Sequence, residues 1–386
     1  MKDNYCIAIA ENYGIDFVNF RVSYANFLKS KGHDIIAIIP DDGSVDTIET
    51  GGLTVRTYDL KKNSLNPLNL IRNIRIFRRI QKDHDINLFH TFRLQPNIIA
   101  SLAFAFRKTP IVISHVTGLG YAFSSTTPRS LFYRMVILIL YQVSLLFSWK
   151  VIVQNKADYA ILSRLIFISR KLTLIESSGI DISKFSRDNV DPGLVAGLKQ
   201  RILYKEGDRI VTFTGRLLRE KGIREFLAAA EYFTRIDDKV KFVIAGWFDK
   251  FNPTCLTQET FDSYRMNKNI IFLGGISDIR ELLYLTKVFV LPTYREGFPR
   301  SVLEAMSMSI PVITTNVPGA ADAVNDGFNG LITRPRDAEA LIEAINKLLY
   351  DDSLSTLMGQ NGRRLVEEKF KSDYIYTFFY NTFPSR

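Results

Sequence analysis

Val288-Phe-Val-Leu-Pro-Thr-Tyr-Arg-Glu-Gly-Phe-Pro-Arg-Ser-Val-Leu-Glu304 reads as a buried strand, a tight loop and the first turn of a helix. The apolar run 288–291 is the strand, and the helix begins at Ser301. A loop at the carboxyl end of a parallel strand is where open α/β sheets bind ligands, and a helix N-terminus offers backbone N–H groups to an anion. Glu296 and Glu304 flank this loop, with Gly297 allowing a ligand to approach the backbone beside Glu296. Ser301 and Glu304 also fit a capping box, in which Glu304 serves only its own helix. Glu296 precedes the helix and has no such use.

Outward from this stretch, short apolar β-branched runs alternate with helical segments along the whole chain. One series falls at 6–10, 35–39, 53–58, 86–90, 111–114, 151–154 and 172–175; a second falls at 210–214, 240–245, 270–273, 288–291 and 312–315. The alternation predicts an α/β architecture of parallel sheets with crossover helices, in two domains. Residues 181–208, with Asp188-Asn-Val-Asp-Pro-Gly and Lys205-Glu-Gly-Asp, are polar and rich in turn formers, as a linker should be. The expected domains are therefore 1–180 and 209–366. The final segment, 367–386, is aromatic on several faces of a helix and is expected to pack back on the first domain.

At 386 residues, with 46% hydrophobic content, the chain is long enough for two separate cores. Cys6 and Cys255 lie far apart, with neither metal-ligand spacing nor a disulfide framework, which points to a reducing compartment. The apolar run 6–10 is too short for a signal peptide and reads as a first strand, so a cytoplasmic protein is expected. The net charge of +10 is uneven: residues 1–180 hold 22 Lys or Arg against 13 Asp or Glu, whereas the remainder is nearly balanced. Within the first half, 61–82 carry Lys61, Lys62, Arg72, Arg75, Arg78, Arg79 and Lys82 with no acidic residue. This is either a solvated helix face or a docking surface for anionic lipid or a phosphate-bearing substrate. The stretch 131–147 is the most hydrophobic, but Arg134 and Gln142 interrupt it, and it falls short of the ~20 apolar residues that span a bilayer. It is a buried core helix or one facing the membrane surface, flanked by Arg129, Arg134, Trp149 and Lys150.

Two further strand ends carry chemistry-bearing residues. Thr214-Gly-Arg-Leu-Leu-Arg-Glu-Lys-Gly222 places Arg216 and Lys221 beside Gly215 and Gly222, where they can hold a diphosphate: Arg clamps oxygens in pairs and Lys adds a mobile point charge. His115-Val-Thr-Gly-Leu-Gly120 follows the strand 111–114. His33 and His84 sit in turn-like contexts, and His90 ends a strand with no assigned role. Asp83-His-Asp85 resembles an Asp-x-Asp metal motif but precedes its strand, at the wrong end of a sheet, and reads as a turn. No cluster has metal-ligand spacing, so no metal is expected. The chain also lacks a P-loop, a G-x-G-x-x-G after the first strand, and a G-x-S-x-G, which removes the main support for ATPase, dehydrogenase and hydrolase readings. No nucleic-acid partner is expected.

Together, Glu296 and Glu304, Gly215-Arg216 with Lys221-Gly222, the His115 loop, and Ser178-Gly-Ile-Asp-Ile-Ser-Lys-Phe185 resemble the family-4 retaining glycosyltransferases. His115-Val-Thr-Gly-Leu-Gly-Tyr-Ala-Phe, Glu296-Gly-Phe-Pro-Arg-Ser and Thr315-Asn-Val-Pro-Gly319 resemble more narrowly the bacterial enzymes that use UDP-N-acetylhexosamines to build lipid-linked glycans. The resemblance implies the GT-B fold, two Rossmann-like doubly wound parallel-sheet domains facing across a cleft. The first domain would bind the acceptor and the second the nucleotide sugar.

By position, Glu304 would bind the ribose hydroxyls and Glu296 the donor sugar, while Arg216 and Lys221 hold the diphosphate. The backbone of Gly297, Phe298 and Pro299 would line the sugar. The N–H groups near Ser301 and Val302 would meet the phosphate, and His115 would face the sugar. Many relatives carry a Gly-Gly loop after the first strand; here Gly14 stands alone, and Asp16, Asn19 and Arg21 are expected at the acceptor. The implied activity is metal-independent, cofactor-free transfer of an N-acetylhexosamine from UDP to a polyprenyl-pyrophosphate-linked glycan, in O-antigen or capsule synthesis. The enzyme would sit peripherally on the anionic inner face of the cytoplasmic membrane. A nucleotide-sugar epimerase of the same architecture and a non-catalytic glycan-binding module are the rival readings.

Overall fold

The computed structural model describes residues 4–60, 66–120, 123, 127–249, 252 and 254–384. Lys61, Lys62 and the Tyr121-Ala122 part of the His115 loop lie outside the described residues. The chain forms two compact units, Met1–Ser178 with Asp373–Arg386, and Gly179–Ser372.

In the first unit β1 (Cys6–Ala10) leads through α1 (Gly14–Phe20) and α2 (Val22–Ser30) to β2 (Asp34–Pro40), then α3 (Val45–Thr50) and β3 (Thr54–Tyr58). Next come α4 (Pro67–Asp83), β4 (Leu88–Phe92), α5 (Leu94–Ala103), β5 (Ile111–Val116), α6 (Pro128–Leu145), β6 (Lys150–Val153), α7 (Lys156–Leu162) and β7 (Leu172–Leu174). The strands form one parallel sheet in the order β3-β2-β1-β4-β5-β6-β7. Helices cover both faces, which is why Ile7, Ala8, Ile9 and Ala10 are all buried and the strand sequences run apolar without alternation.

The second unit begins with α8 (Pro192–Arg201) and β8 (Arg209–Thr214), followed by α9 (Ile223–Ile236), β9 (Val240–Ala245), α10 (Gln258–Arg265) and β10 (Ile270–Gly274). Then follow α11 (Arg280–Leu285), β11 (Thr286–Leu291), α12 (Arg300–Ser307), β12 (Val312–Thr315), β13 (Gly330–Thr333), α13 (Ala338–Tyr350) and α14 (Asp352–Lys369). The parallel order is β10-β9-β8-β11-β12-β13. Helix α15 (Ser372–Asn381) returns to the first unit, burying Ile375, Tyr376 and Phe379 around Tyr24.

Each sheet therefore has a switch point where strand order reverses, between β1 and β4 in one and between β8 and β11 in the other, and the carboxyl ends of strands at such a point are where open α/β sheets bind ligands. Several sequence expectations shift. The segment 181–208 is not bare linker, because Asp191 caps α8 through the N–H groups of Gly193 and Leu194 and the helix buries Val195. The boundary at 366/367 falls inside α14, which continues to Lys369. Strand β4 runs two residues further than expected, so His90 lies mid-strand and not at a strand end.

Candidate active site

In the second unit, β8 ends at Thr214 and the chain turns through Gly215 at φ 143°. A Cβ on the adjacent Gly246, just past β9, would lie 2.0 Å from the Gly215 carbonyl oxygen, so two strand-end backbones touch where no side chain fits. Arg216 follows, its Nη1 3.0 Å from Asp249 Oδ2. Its side chain is 41% exposed and accessible to a ligand, whereas that of Asp249 is 8% exposed and fixed. A short 3-10 turn, Arg219–Lys221, then leads to Gly222 in the left-handed region at φ 77°. There a Cβ would meet the Pro292 oxygen at 2.0 Å, so the turn lies directly against the loop after β11.

That contact aims Lys221 at the opening stretch: Lys221 Nζ is 2.5 Å from Glu296 Oε1, and both side chains are largely shielded. The loop is held from three sides. Tyr294 N and Thr293 Oγ1 donate to the Glu220 carbonyl, Tyr294 OH donates to Glu225 Oε1, and Glu296 N donates to Pro318 O. Gly319 sits at φ 79° with its missing Cβ site 2.3 Å from the Glu296 oxygen and 2.5 Å from that of Gly297.

Helix α12 starts at Arg300 with Pro299 at its N-cap, whose side chain makes no capping hydrogen bond. Ser301 is therefore the second helical residue, and the capping-box reading is corrected. The Glu304 carboxylate accepts from Arg300 Nε at 3.2 Å. Burial pushes the Glu304 carboxyl above its ordinary range, opposed by Arg300 and Lys184. The Val302 N–H donates to the Pro299 carbonyl within the first turn, which leaves it less suited to an anion than expected. Phe298 is buried and tilts against Phe370, 5.4 Å between ring centroids, so its side chain anchors the loop in the core while its backbone remains part of the loop.

At the switch point of the first unit lies a second charged cluster. Glu11, directly after β1, is fully buried; its carboxylate accepts a hydrogen bond from Arg21 Nε at 3.1 Å and forms an ion pair with Arg93, whose Nε lies 2.9 Å away. Arg93 Nη2 also reaches Asp16 Oδ2 at 2.6 Å, and Arg93 adopts φ 71°, a conformation rarely held by a non-glycine residue. Arg21 is buried with its guanidinium 3.6 Å from the Phe92 ring centroid. Arg21 is thus a structural support for Glu11 and not the surface contact expected, whereas Asp16 and Asn19 retain exposure.

Two profiles of related sequences match, each inside one unit: "Glycosyl transferase 4-like" over residues 10–155 and "Glycosyl transferases group 1" over residues 197–365. The chain belongs to the group 1, family-4-like glycosyltransferases. It is 29% identical over 359 residues, 92% of each chain, to the N,N'-diacetylbacillosaminyl-diphospho-undecaprenol alpha-1,3-N-acetylgalactosaminyltransferase of Campylobacter jejuni. It is 27% identical over 346 residues, 83% of each chain, to the UDP-Gal:alpha-D-GlcNAc-diphosphoundecaprenol alpha-1,3-galactosyltransferase of Escherichia coli. Among solved structures, sucrose-phosphate synthase of Thermosynechococcus elongatus superposes with a TM-score of 0.81 at 20% identity, covering 98% of both chains. The fold is GT-B.

In this glycosyltransferase the residues expected at the donor gather at one switch point: Gly215, Arg216 and Lys221 from the end of β8, and Glu296, Gly297 and Pro299 from the loop after β11. His115 differs from expectation. It lies inside β5, fully buried between Phe92, His90 and Phe379, and neither ring nitrogen has a hydrogen-bond partner among the described residues. Burial, then His90 and Arg21, holds its imidazole well below the usual histidine range, so it is neutral at pH 7 and reaches no surface.

Sequence reading missed Asp249, Glu11 and Arg93, whose partners are remote in sequence. It also missed Arg363, which donates from Nη1 to the Ile182, Phe185 and Ser307 carbonyls and so ties the segment after residue 179 to the end of α12. Among the described residues no group of three or more His, Cys, Asp or Glu side chains is placed to hold a metal.

Proposed function

We propose that this glycosyltransferase moves a hexose or N-acetylhexosamine from a UDP-sugar to a glycan carried on polyprenyl diphosphate, with retention of anomeric configuration. The observation that carries the reading is the pair of cations after β8, Arg216 aimed by Asp249 and Lys221 held by Glu296 of the β11 loop. The relatives named above act on undecaprenyl-diphosphate-linked substrates, one of them with a UDP donor, which supports that acceptor and donor class.

In this reading the bond from the anomeric carbon to the β-phosphate oxygen breaks while the acceptor hydroxyl oxygen bonds to the same face of that carbon. The hydroxyl proton passes to the departing phosphate oxygen, and the products are UDP and the extended glycan. Arg216 and Lys221 stabilise the charge growing on the diphosphate, and such preorganised electrostatics supplies most of the rate without a metal. Glu296 orients Lys221 and the sugar hydroxyls, and Glu304 takes the ribose. The acceptor lies with the first unit, near Asp16 and Asn19, and the enzyme works peripherally at the cytoplasmic membrane face.

Labelled UDP-sugars incubated with and without a lipid-linked acceptor test this. Acceptor-dependent transfer is expected. Acceptor-independent isomerisation would identify an epimerase, and absence of turnover across a broad donor panel would favour a binding module.

A further inference from the structure

Helix α6 has two faces. Tyr141 and Leu145 pack into the first unit with Leu162 and Val151, while Leu131, Met135, Ile139 and Val143 recur every four residues as one exposed stripe, with Phe132 exposed beside it. The core-helix expectation is therefore right for only half the helix. Gln142, an interruption in the sequence, has a structural use: its Nε2 donates to the Ile166 carbonyl at 2.9 Å and its Oε1 accepts from the Ile166 N–H at 2.9 Å. This two-point clamp fixes the turn 166–167 next to α6. Phe167, at φ 62°, stands 69% exposed and Ile166 65% exposed. Just beyond α6, Phe147 packs 4.8 Å from Phe106, which is almost wholly exposed.

The charges along this stretch of the chain are almost all of one sign. Residues 103–175 contain nine Lys or Arg and a single acidic residue, Asp158, which is fully buried. Arg164 and Arg170 bracket the turn 166–167, and Arg107 and Lys108 follow Phe106; all four are exposed. A stripe of aliphatic and aromatic side chains collared by cations matches the interfacial layer of an anionic bilayer. It is a poor fit to a second copy of itself, because a self-complementary contact would bring the same cations together. Among the described residues no helix is long and apolar enough to cross a membrane, so the contact is superficial.

We infer that the outer face of α6 and the Gln142-clamped Ile166–Phe167 turn form the surface by which the enzyme inserts into anionic phospholipid membrane. The inference builds on the proposed lipid-borne acceptor but stands on a different surface property. The test is sedimentation of the full chain with vesicles of phosphatidylcholine alone, or mixed with phosphatidylglycerol, containing no polyprenyl acceptor. Two variants replace exposed residues only, Ile166→Ser with Phe167→Ser, and Met135→Ser with Ile139→Ser, and thermal melts verify their folding.

Wild type should bind the anionic vesicles and bind the neutral ones far less, and each variant should lose about tenfold or more in partitioning. Failure of wild type to bind anionic vesicles, or wild-type binding by both variants, would overturn the inference. So would a wild-type dimer that the α6 variant splits while its vesicle binding persists. Intact vesicle binding with no transfer to lipid-linked acceptors would support the docking surface and count against the proposed acceptor.

Discussion

Lys221 Nζ lies 2.5 Å from Glu296 Oε1, joining the turn after β8 to the loop after β11 across the switch point of the second sheet. The two residues are far apart in sequence but held together by backbone: Gly222 packs on Pro292, and Thr293 and Tyr294 hydrogen-bond to Glu220. A pair positioned this way acts as a unit. Glu296→Gln and Lys221→Gln should each lower kcat/KM by ~100-fold, and the double variant should lose much less than the product of the two. A double-mutant cycle with additive losses would separate the residues into independent roles.

Asp249 is largely buried and accepts from Arg216, so it sets the direction of a guanidinium that is otherwise half in solvent. Asp249→Asn keeps the shape and removes the charge. The expected result is a fall in kcat of about tenfold with KM altered less, because misdirection costs more in the transition state than in donor binding. Unchanged kcat would show that Arg216 needs no such partner.

Gly319 and Gly52 have nearly the same backbone, φ 79° and 80°, but different surroundings. A Cβ at Gly319 would strike the Glu296 and Gly297 carbonyls, whereas among the described residues nothing lies within 4 Å of one at Gly52. Gly52→Ala should cost about 1 kcal/mol from backbone strain alone, and Gly319→Ala should cost more, about 2–4 kcal/mol, and also depress turnover. Denaturant unfolding and steady-state rates measure both; equal stability losses would mean that the loop after β11 yields freely.

His90 and His115 stack at 5.7 Å in the first unit, and burial holds both imidazoles well below 6.5. In the unfolded chain they protonate near pH 6.5, while in the fold they stay neutral, so the unfolded state binds more protons as pH falls. Stability from this source is therefore complete above about pH 6.5 and declines below it, by up to about 1.4 kcal/mol per pH unit for each histidine. Urea unfolding between pH 7.5 and 5.5 should show this slope, and His90→Phe with His115→Phe should flatten it. An unaltered slope in that variant would place the proton uptake elsewhere.

What the sequence reveals and what it conceals follow a physical division. Arg216, Lys221 and Glu296 are legible because each follows an apolar strand run, and parallel strand ends converge at a switch point. Asp249 is not, since it lies in Gly-Trp-Phe-Asp after β9, where no local pattern marks it. Glu11 and Arg93 form an ion pair between β1 and β4, so neither predicts the other, and the positive φ of Arg93 leaves no trace in composition. Strand β13, Gly330-Leu-Ile-Thr, is too short to register as a periodic run, yet it completes the second sheet. His115 was misplaced because its strand extends one residue past it, turning a loop residue into a core one. The apolar content of α6 was plain, but only the fold separates its buried face from its exposed one.

The central claim is that cations at the end of β8 stabilise the departing nucleoside diphosphate, and Arg216→Ala tests it most directly. Turnover should be measured with a UDP-sugar and a lipid-linked acceptor, in parallel with UDP binding. The account predicts a loss of ~100-fold or more in kcat, with a smaller loss in UDP affinity. Near wild-type kcat in the folded variant would contradict it.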